Sequence, residues 1–361
     1  MEAMRLSVTN LFFVRKQTEI GSSNVQAIGI ETSVLFVTRD GRRVRDFKFN
    51  RDNGSFISTN LSIINDSIVF AGFDGATGST LKGVTFLEMH YQLSRDTIWL
   101  LTSNNALVGL TLAKDSGVVA WHRHNIRTGD VIRGISVIPS TSGNFDELWM
   151  VVERSIDSST TFYVEKMGDD FEHTFLDNSS SSDDDTPYYS DAGIKIVLGS
   201  TTDTVTLPNN AVNDTASHLE GETVKVLAAG LVEVDKTVSG GQITLVAALP
   251  SGTPIVLGLP YIAKMRTLDI EAGADFGSAQ GVIQRIDRVD IRLYKSQKGK
   301  FSTTISANSD EIEYENGTIF TGNKKQYVPA SPDENMQFEI EHDDPVPFNL
   351  LSMTFRGVSF D

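Results

Sequence analysis

The chain has no cysteine. That excludes disulfide staples, thiolate metal sites and cysteine nucleophiles, and it fits assembly in a reducing compartment. A basic balance is lacking as well: 31 Lys and Arg stand against 47 Asp and Glu, for a formal net charge of −16. Tight, sequence-reading DNA binding relies on a basic patch that neutralises phosphates, and none stands out along the chain. An acidic protein still handles DNA in one way, because a channel lined with carboxylates repels a duplex and lets it slide. No apolar run reaches the roughly 18 residues of a membrane helix, so no membrane insertion is expected. The first residues, "MEAMRLSVTNLFFVRKQTEIG", carry a short apolar patch without a basic lead or a long apolar core, and do not read as a signal peptide. Helical periodicity is scarce.

What is present is β-structure. The 361 residues are 40% hydrophobic and 22% charged, enough to build one large or two ordinary domains. Short runs rich in β-branched residues recur between Gly, Asn, Asp and Ser. "SVLFVTRDGRRVRDFKF" reads as strand, Asp-Gly turn, strand. "DTIWLLTSNNALVGLTL" repeats that form with Asn104-Asn105 at the turn, and "KDSGVVAWHRHN" follows as the next strand. "GISVIPSTSGNFDELWMVVERSIDSSTTFYVEKM" holds three more strands, with Asp157 to Ser159 at a hairpin tip. Asn and Asp suit such tips because they tolerate positive φ and bond their own backbone. These units begin near Val34, Ile98 and Leu148, spacings of 64 and 50 residues. Hairpin units on that scale mark β-propeller blades, with a sandwich as the alternative.

The expected fold is therefore all-β: a β-propeller-like platform of antiparallel hairpin units with an inserted small β-barrel or sandwich module. Residues 1–196 form the first part of the platform, 197–255 the module, and 256–361 a C-terminal β segment returning to the main domain. The tract "DNSSSSDDDTPYYSD", Asp177 to Asp191, cannot bury a core and reads as a solvated loop. The module is marked by Thr, Val and Gly, with "TVKVLA", "LVEVDK" and "QITLV" alternating between turns. "VIQRIDRVDIRLYKS" is ambiguous, since Ile283, Ile286, Val289 and Leu293 fit a helix face; its β-branched content and missing N-cap favour a strand.

Chemistry-bearing residues are few. His122 and His124 of "WHRH" share one face of a strand, a spacing that can ligate a metal. A third ligand is not singled out; Glu153 and Glu165 are candidates only because carboxylates are abundant. No metal or cofactor is expected, and hydrogen bonding at a strand end is the preferred role. Asp183-Asp184-Asp185 lacks the glycine-turned loop of a Ca²⁺ site. "GFDGATGSTLKG", Gly72 to Gly83, lacks the Gly-Lys-Ser/Thr ending of a phosphate loop. No nucleophile elbow is present, and Ser239 to Gly241 is a turn. Trp99, Trp121 and Trp149 each sit in an apolar strand and read as core or inter-blade packing. Arg39, Arg42, Arg43 and Arg45 form the only dense basic cluster, a candidate subunit contact.

In that order, "VLFVTRDGRRVRDF", "IWLLTSNNALVGLTL…VVAWHRHN" and "DELWMVVERSIDSSTTFYVEKM" resemble the tail nozzle proteins of short-tailed bacteriophages, tail tubular protein B. "HLEGETVKVLAAGLVEVDKTVSGGQITL", "LGLPYIAKM", "GSAQGVIQRIDRVDIRL" and "DDPVPFNLLSMTFRG" extend the resemblance from about Val25 to the C-terminus. The inserted segment also resembles a small β module of ubiquitin-activating enzymes, which implies a fold and not that chemistry. The resemblance implies a non-enzymatic virion structural protein, assembled in the host cytoplasm as a tail nozzle ring. That ring, a hexamer beneath an adaptor ring, would be the channel for genome ejection, with genomic DNA passing non-specifically. It implies that Trp121 packs inward while His122, Arg123 and His124 lie at a blade edge or subunit contact. Family nozzles are longer ahead of Val25, which implies either a reduced relative or a partner chain carrying the missing N-terminal half. The alternatives are a carbohydrate-binding or host-adsorption module of a virion using Tyr188 and Tyr189, and a propeller-fold hydrolase, which needs a converging carboxylate or histidine set that the sequence does not single out.

Overall fold

The computed structural model describes residues 19–52, 54–63, 84–141, 145–168, 189–208, 218–270, 283–303, 306–312, 319–328 and 336–360. Among them every regular element is a strand except one short 3₁₀ turn, and the strands pair antiparallel. The chain is all-β and propeller-like in its first part. It divides into two units, residues 1–124 with 131–152, and residues 125–130 with 153–361.

The first unit opens with a four-stranded meander. Strands β1 (Ile28–Ile30), β2 (Ser33–Val37), β3 (Val44–Asn50) and β4 (Ser55–Asn60) lie in sequence order. Alternation decides which side is inside: Leu35, Val37 and Val44 are fully buried. The β2–β3 turn falls at Asp40-Gly41, where the Gly41 N–H donates to the Thr38 carbonyl at 2.7 Å. A second meander has the same form, with β5 (Phe86–Gln92), β6 (Thr97–Thr102), β7 (Leu107–Ala113) and β8 (Val118–His124) in order. Asn105 takes the left-handed conformation expected of its turn, at φ 64°. Four-stranded meanders that bury one another's faces are what blades are.

Strand β6 shows the stacking most clearly. Ile98 and Leu100 face the first meander's core, and Trp99 and Leu101 point the other way, yet none exceeds 2% exposure. A strand buried on both faces reads as a continuous apolar run, which "TIWLLT" does. On the far side lie β9 (Val131–Pro139) and the start of β10 (Asp146–Ile156), tied in by the Glu88 carboxylate accepting from the Ile135 N–H at 2.8 Å. The end of β10 turns through Asp157 (φ 47°) and Ser158 (φ 62°) into β11 (Ser159–Lys166), the two-residue hairpin loop that suits right-twisted strands.

The second unit holds the small module. One sheet runs β12 (Asp191–Val197), β18 (Pro254–Leu259), β14 (Thr223–Ala228), β15 (Leu231–Val232), with β16 (Lys236–Thr237) also on β14. Strands β13 (Thr202–Thr206) and β17 (Gln242–Leu249) form a separate pair. Val205, Leu219, Val224, Val226, Ile255 and Leu257 make their common core. β12 and β18 flank the expected segment 197–255 and belong to the module's sheet, so its hydrogen bonding begins at Asp191 and ends at Leu259. The boundary between the two units falls inside β10 instead of at residue 196.

The remainder is a sandwich. β19 (Ala263–Arg266), β24 (Phe338–His342), β21 (Lys300–Thr303) and β22 (Ser306–Glu311) form one sheet. β23 (Phe320–Tyr327), β20 (Ile283–Ser296) and β25 (Leu350–Phe360) form the other. Phe301, Phe338 and Ile340 of the first meet Val289, Ile291 and Leu293 of the second. The ambiguous segment is thus a strand, β20. A register shift between Ile286 and Arg288 puts both Ile286 and Val289 inward. That bulge corrects the simple alternation expected for the segment, and it is why a three-residue apolar step imitated a helix.

Candidate functional site

β8 is an edge strand of its sheet, and it presents opposite faces by simple alternation. Trp121 joins the core between the first two meanders, its ring stacked 6.2 Å from Phe86 and its indole N–H donating to the Leu61 carbonyl at 2.9 Å. Arg123 is exposed on the strand. His122 and His124 lie on the other face with 2.7 Å between His122 Nδ1 and His124 Nε2. His122 Nε2 is 3.2 Å from the Thr111 hydroxyl. Trp99 stands edge-on to both imidazoles, with centroids at 5.8 Å and 4.8 Å, and its N–H donates to Gln92 Oε1 at 2.8 Å. Gln92 in turn donates to the Asp146 carbonyl at 2.7 Å.

A hydrogen bond between two imidazoles needs an unprotonated acceptor, and burial supplies the condition. Burial pushes the His122 pKa below its usual value. Burial, then the neighbouring His122 and Arg95 charges, push His124 down to about 4. Both rings are therefore neutral near pH 7. No set of three His, Cys, Asp or Glu suited to a metal occurs among the described residues. Glu165, one of the ligand candidates, is held instead by an arginine in the second unit.

The cross-strand neighbour of His122 is Gly109, and a Cβ there would come within 2.0 Å of His122 Cε1. The ring occupies the space a side chain would need. Gly109→Ala is expected to destabilise the chain by about 1–3 kcal/mol, the usual cost of overpacking. Removing the ring as well, in Gly109→Ala/His122→Ala, should return part of that loss. Urea unfolding of the single and double variants measures it, and a neutral single variant would show that the ring moves aside freely.

The other residues singled out from sequence are scattered. Arg45 is absorbed by its own sheet, its Nε donating to Ser58 Oγ at 2.9 Å and its Nη2 to the Ser58 carbonyl at 2.6 Å. Arg43 lies 3.7 Å from Asp40 in the same turn, while Arg39 is exposed. The cluster is thus divided between a turn and a ladder. Trp149 is corrected: Leu148, Met150 and Val152 point to the core, so Trp149 sits on the opposite, half-exposed face, donating to Glu147 Oε2 at 3.0 Å. Gly72 to Gly83, Asp183 to Asp185 and Tyr188 lie outside the described residues.

A buried ionic network centred on Arg154 lies outside the residues singled out by spacing and motif. Arg154, 1% exposed, lies on β10 at the inward-facing position after Met150 and Val152. Its Nε and Nη2 donate to the two oxygens of Glu165, each at 2.6 Å. Nη2 and Nη1 donate to Asp191 at 2.6 and 2.9 Å, and Nη1 to Asp130 Oδ2 at 2.7 Å. Arg127 closes the far side, bonding Asp130 through Nε and Nη2 at 3.0 and 2.9 Å and Glu222 at 2.8 Å. Burial alone would lower the Arg154 pKa, but the bonds to Glu165 and Asp191 outweigh it and hold the guanidinium charged. The carboxylates are taken up by guanidinium donors, so the arrangement joins the segment 125–130, β10, β11 and β12 as a clamp. The signal was available: in "LWMVVERSI" a charge falls on the apolar parity.

No family model matches the sequence, and no curated protein does. Solved structures of two variants of an exo-β-1,3-galactanase from Phanerochaete chrysosporium, each with β-1,3-galactotriose, align with the chain. They are 8% and 10% identical to it, cover 93% of this chain and 95% of theirs, and give TM-scores of 0.23 and 0.22. This finding corrects the expectation that the chain is no enzyme: the aligned structures are those of a galactanase, so that exclusion is withdrawn. At such scores the likeness assigns no activity here. No helix among the described residues is long and apolar enough to cross a membrane.

Proposed function

We propose that this chain is a subunit of the tail nozzle of a short-tailed bacteriophage, part of the ring through which the genome leaves. The observation that carries the reading is the ordered series of motifs from Val25 to the C-terminus that resembles the nozzle proteins. The two four-stranded meanders support it, because they stand where the resemblance requires propeller blades. In this reading the chain assembles in the host cytoplasm into a closed, hexameric ring through side-to-side contacts against an adaptor ring. Its excess of carboxylate keeps passing DNA from sticking.

The test is electron microscopy of virions decorated with an antibody against the chain. Label at the tail in six-fold register is the expected result. Label on peripheral fibres, or none on particles, would overturn the reading.

A further inference from the structure

The outer face of the β23–β20–β25 sheet gathers positive charge that the linear sequence disperses. β20 is the middle strand, and its inward residues Val289, Ile291 and Leu293 are fully buried in the sandwich core. The intervening residues Arg288, Asp290 and Arg292 therefore face away from it. Register places Arg356 of β25 opposite Arg288, and Lys325 of β23 opposite Asp290. Arg288 Nη2 and Arg356 Nε both reach Asp290 Oδ2, at 3.0 and 3.2 Å, which fixes all three on one side. Arg285, ahead of the bulge, extends the row with its own partner Asp287 at 2.8 Å. Five cationic side chains thus stand against two carboxylates, in a chain whose total charge is −16.

The fillers between them are polar and small. Ser352 and Asn323 flank Arg292 in register, and Thr354 flanks Asp290. Two tyrosines stand at the margins, Tyr327 opposite Arg288 at 69% exposure and Tyr294 at 40%. Four of the five cations are arginines, whose planar fork matches phosphate oxygens. Hydroxyl and amide side chains add donors of the kind that hold a nucleic-acid backbone, and exposed aromatic rings offer stacking surfaces to bases. From Arg288 to Arg292 the row runs about 13 Å along the strand, with neighbouring strands about 4.8 Å apart. The overall negative charge does not cancel this locally, because at 0.1 M salt fields are screened within about 10 Å.

We propose that this face binds single-stranded nucleic acid through its phosphates, with the two tyrosines stacking on bases. The inference does not depend on the tail reading and is tested separately from it. The purified full chain is titrated into a fluorescein-labelled oligothymidylate and anisotropy is followed across salt. With four to five phosphates contacted, the logarithm of affinity should fall with the logarithm of salt at a slope of about −3, some fifty-fold between about 50 and 200 mM. Arg292→Gln/Lys325→Gln removes two cations that make no ion pair among the described residues, and should leave folding intact while lowering the slope by about 1.4. Tyr327→Ala should weaken binding with the slope unchanged. Absence of binding at low salt, or binding indifferent to the double substitution, overturns the proposal. Salt-dependent self-association without oligonucleotide binding also overturns it and assigns the face to a second copy of the chain.

Discussion

Acidification from pH 7 to pH 4 is expected to lower the stability of the first unit by on the order of 3 kcal/mol through His124 alone. The size follows from a pKa pushed from 6.5 down to about 4 in the folded chain, at about 1.4 kcal/mol per pH unit. The sign follows from proton counting. Between those two pH values the unfolded chain holds a proton on His124 that the folded chain excludes, so falling pH favours unfolding. The contribution is complete above the unfolded pKa near 6.5, is lost as pH falls toward 4, and levels off below. His122, also pushed below its usual value by burial, adds to the loss in the same direction, and His218 and His342, lowered chiefly by burial, act in the same direction on the second unit. Urea unfolding at a series of pH values, for the natural chain and for His124→Gln, separates the contribution: the variant should show a shallower dependence between pH 6.5 and 4. Parallel curves would mean that His124 accepts its proton while folded.

Replacing Arg154 is expected to cost more. Arg154→Met leaves Asp130, Asp191 and Glu165 facing one another around a site where the guanidinium was 1% exposed and Asp130 equally so. Breaking a buried pair by removing one partner costs about 3–5 kcal/mol, because the remaining charges are stranded. Arg154→Lys keeps the charge but not the fork that meets two carboxylates at once, so its loss should be smaller but distinct. Urea unfolding of both variants beside the natural chain at pH 7 measures the two losses, and an Arg154→Met variant as stable as the natural chain would show that the clamp contributes nothing.

Individual elements show how far local pattern reaches. The Asn104-Asn105 and Asp157-Ser158 turns were legible because residues tolerant of positive φ stand between apolar runs, and Asn105, Asp157 and Ser158 adopt it. β6 was legible because a strand buried on both sides has nothing polar to hide. β20 was ambiguous for a physical reason: a bulge inserts one residue, and the register shift that follows is written in hydrogen bonds, not in composition. Trp149 was misplaced because an aromatic residue in an apolar run satisfies either face. Parity with Leu148, Met150 and Val152 decides against the core.

The histidine pair and the arginine clamp differ in the same way. His122 and His124 were placed on one strand face by spacing alone, since the period of a strand is fixed by covalent geometry. Their mutual bond, their neutrality and the close approach of the His122 ring to Gly109 depend on how β6, β7 and β8 pair. The clamp draws on residues 127, 130, 154, 165, 191 and 222, separated by up to 95 positions, so no local window contains it. By itself the sequence determined an all-β chain, its principal hairpin turns, the absence of thiol chemistry and an acidic total charge, because each depends on residue type and near neighbours. Tertiary structure alone decided which charges are buried together at Arg154 and which collect on the outer face of β20. Long-range pairing chooses those neighbours, and electrostatic energy depends on distance in space, not along the chain.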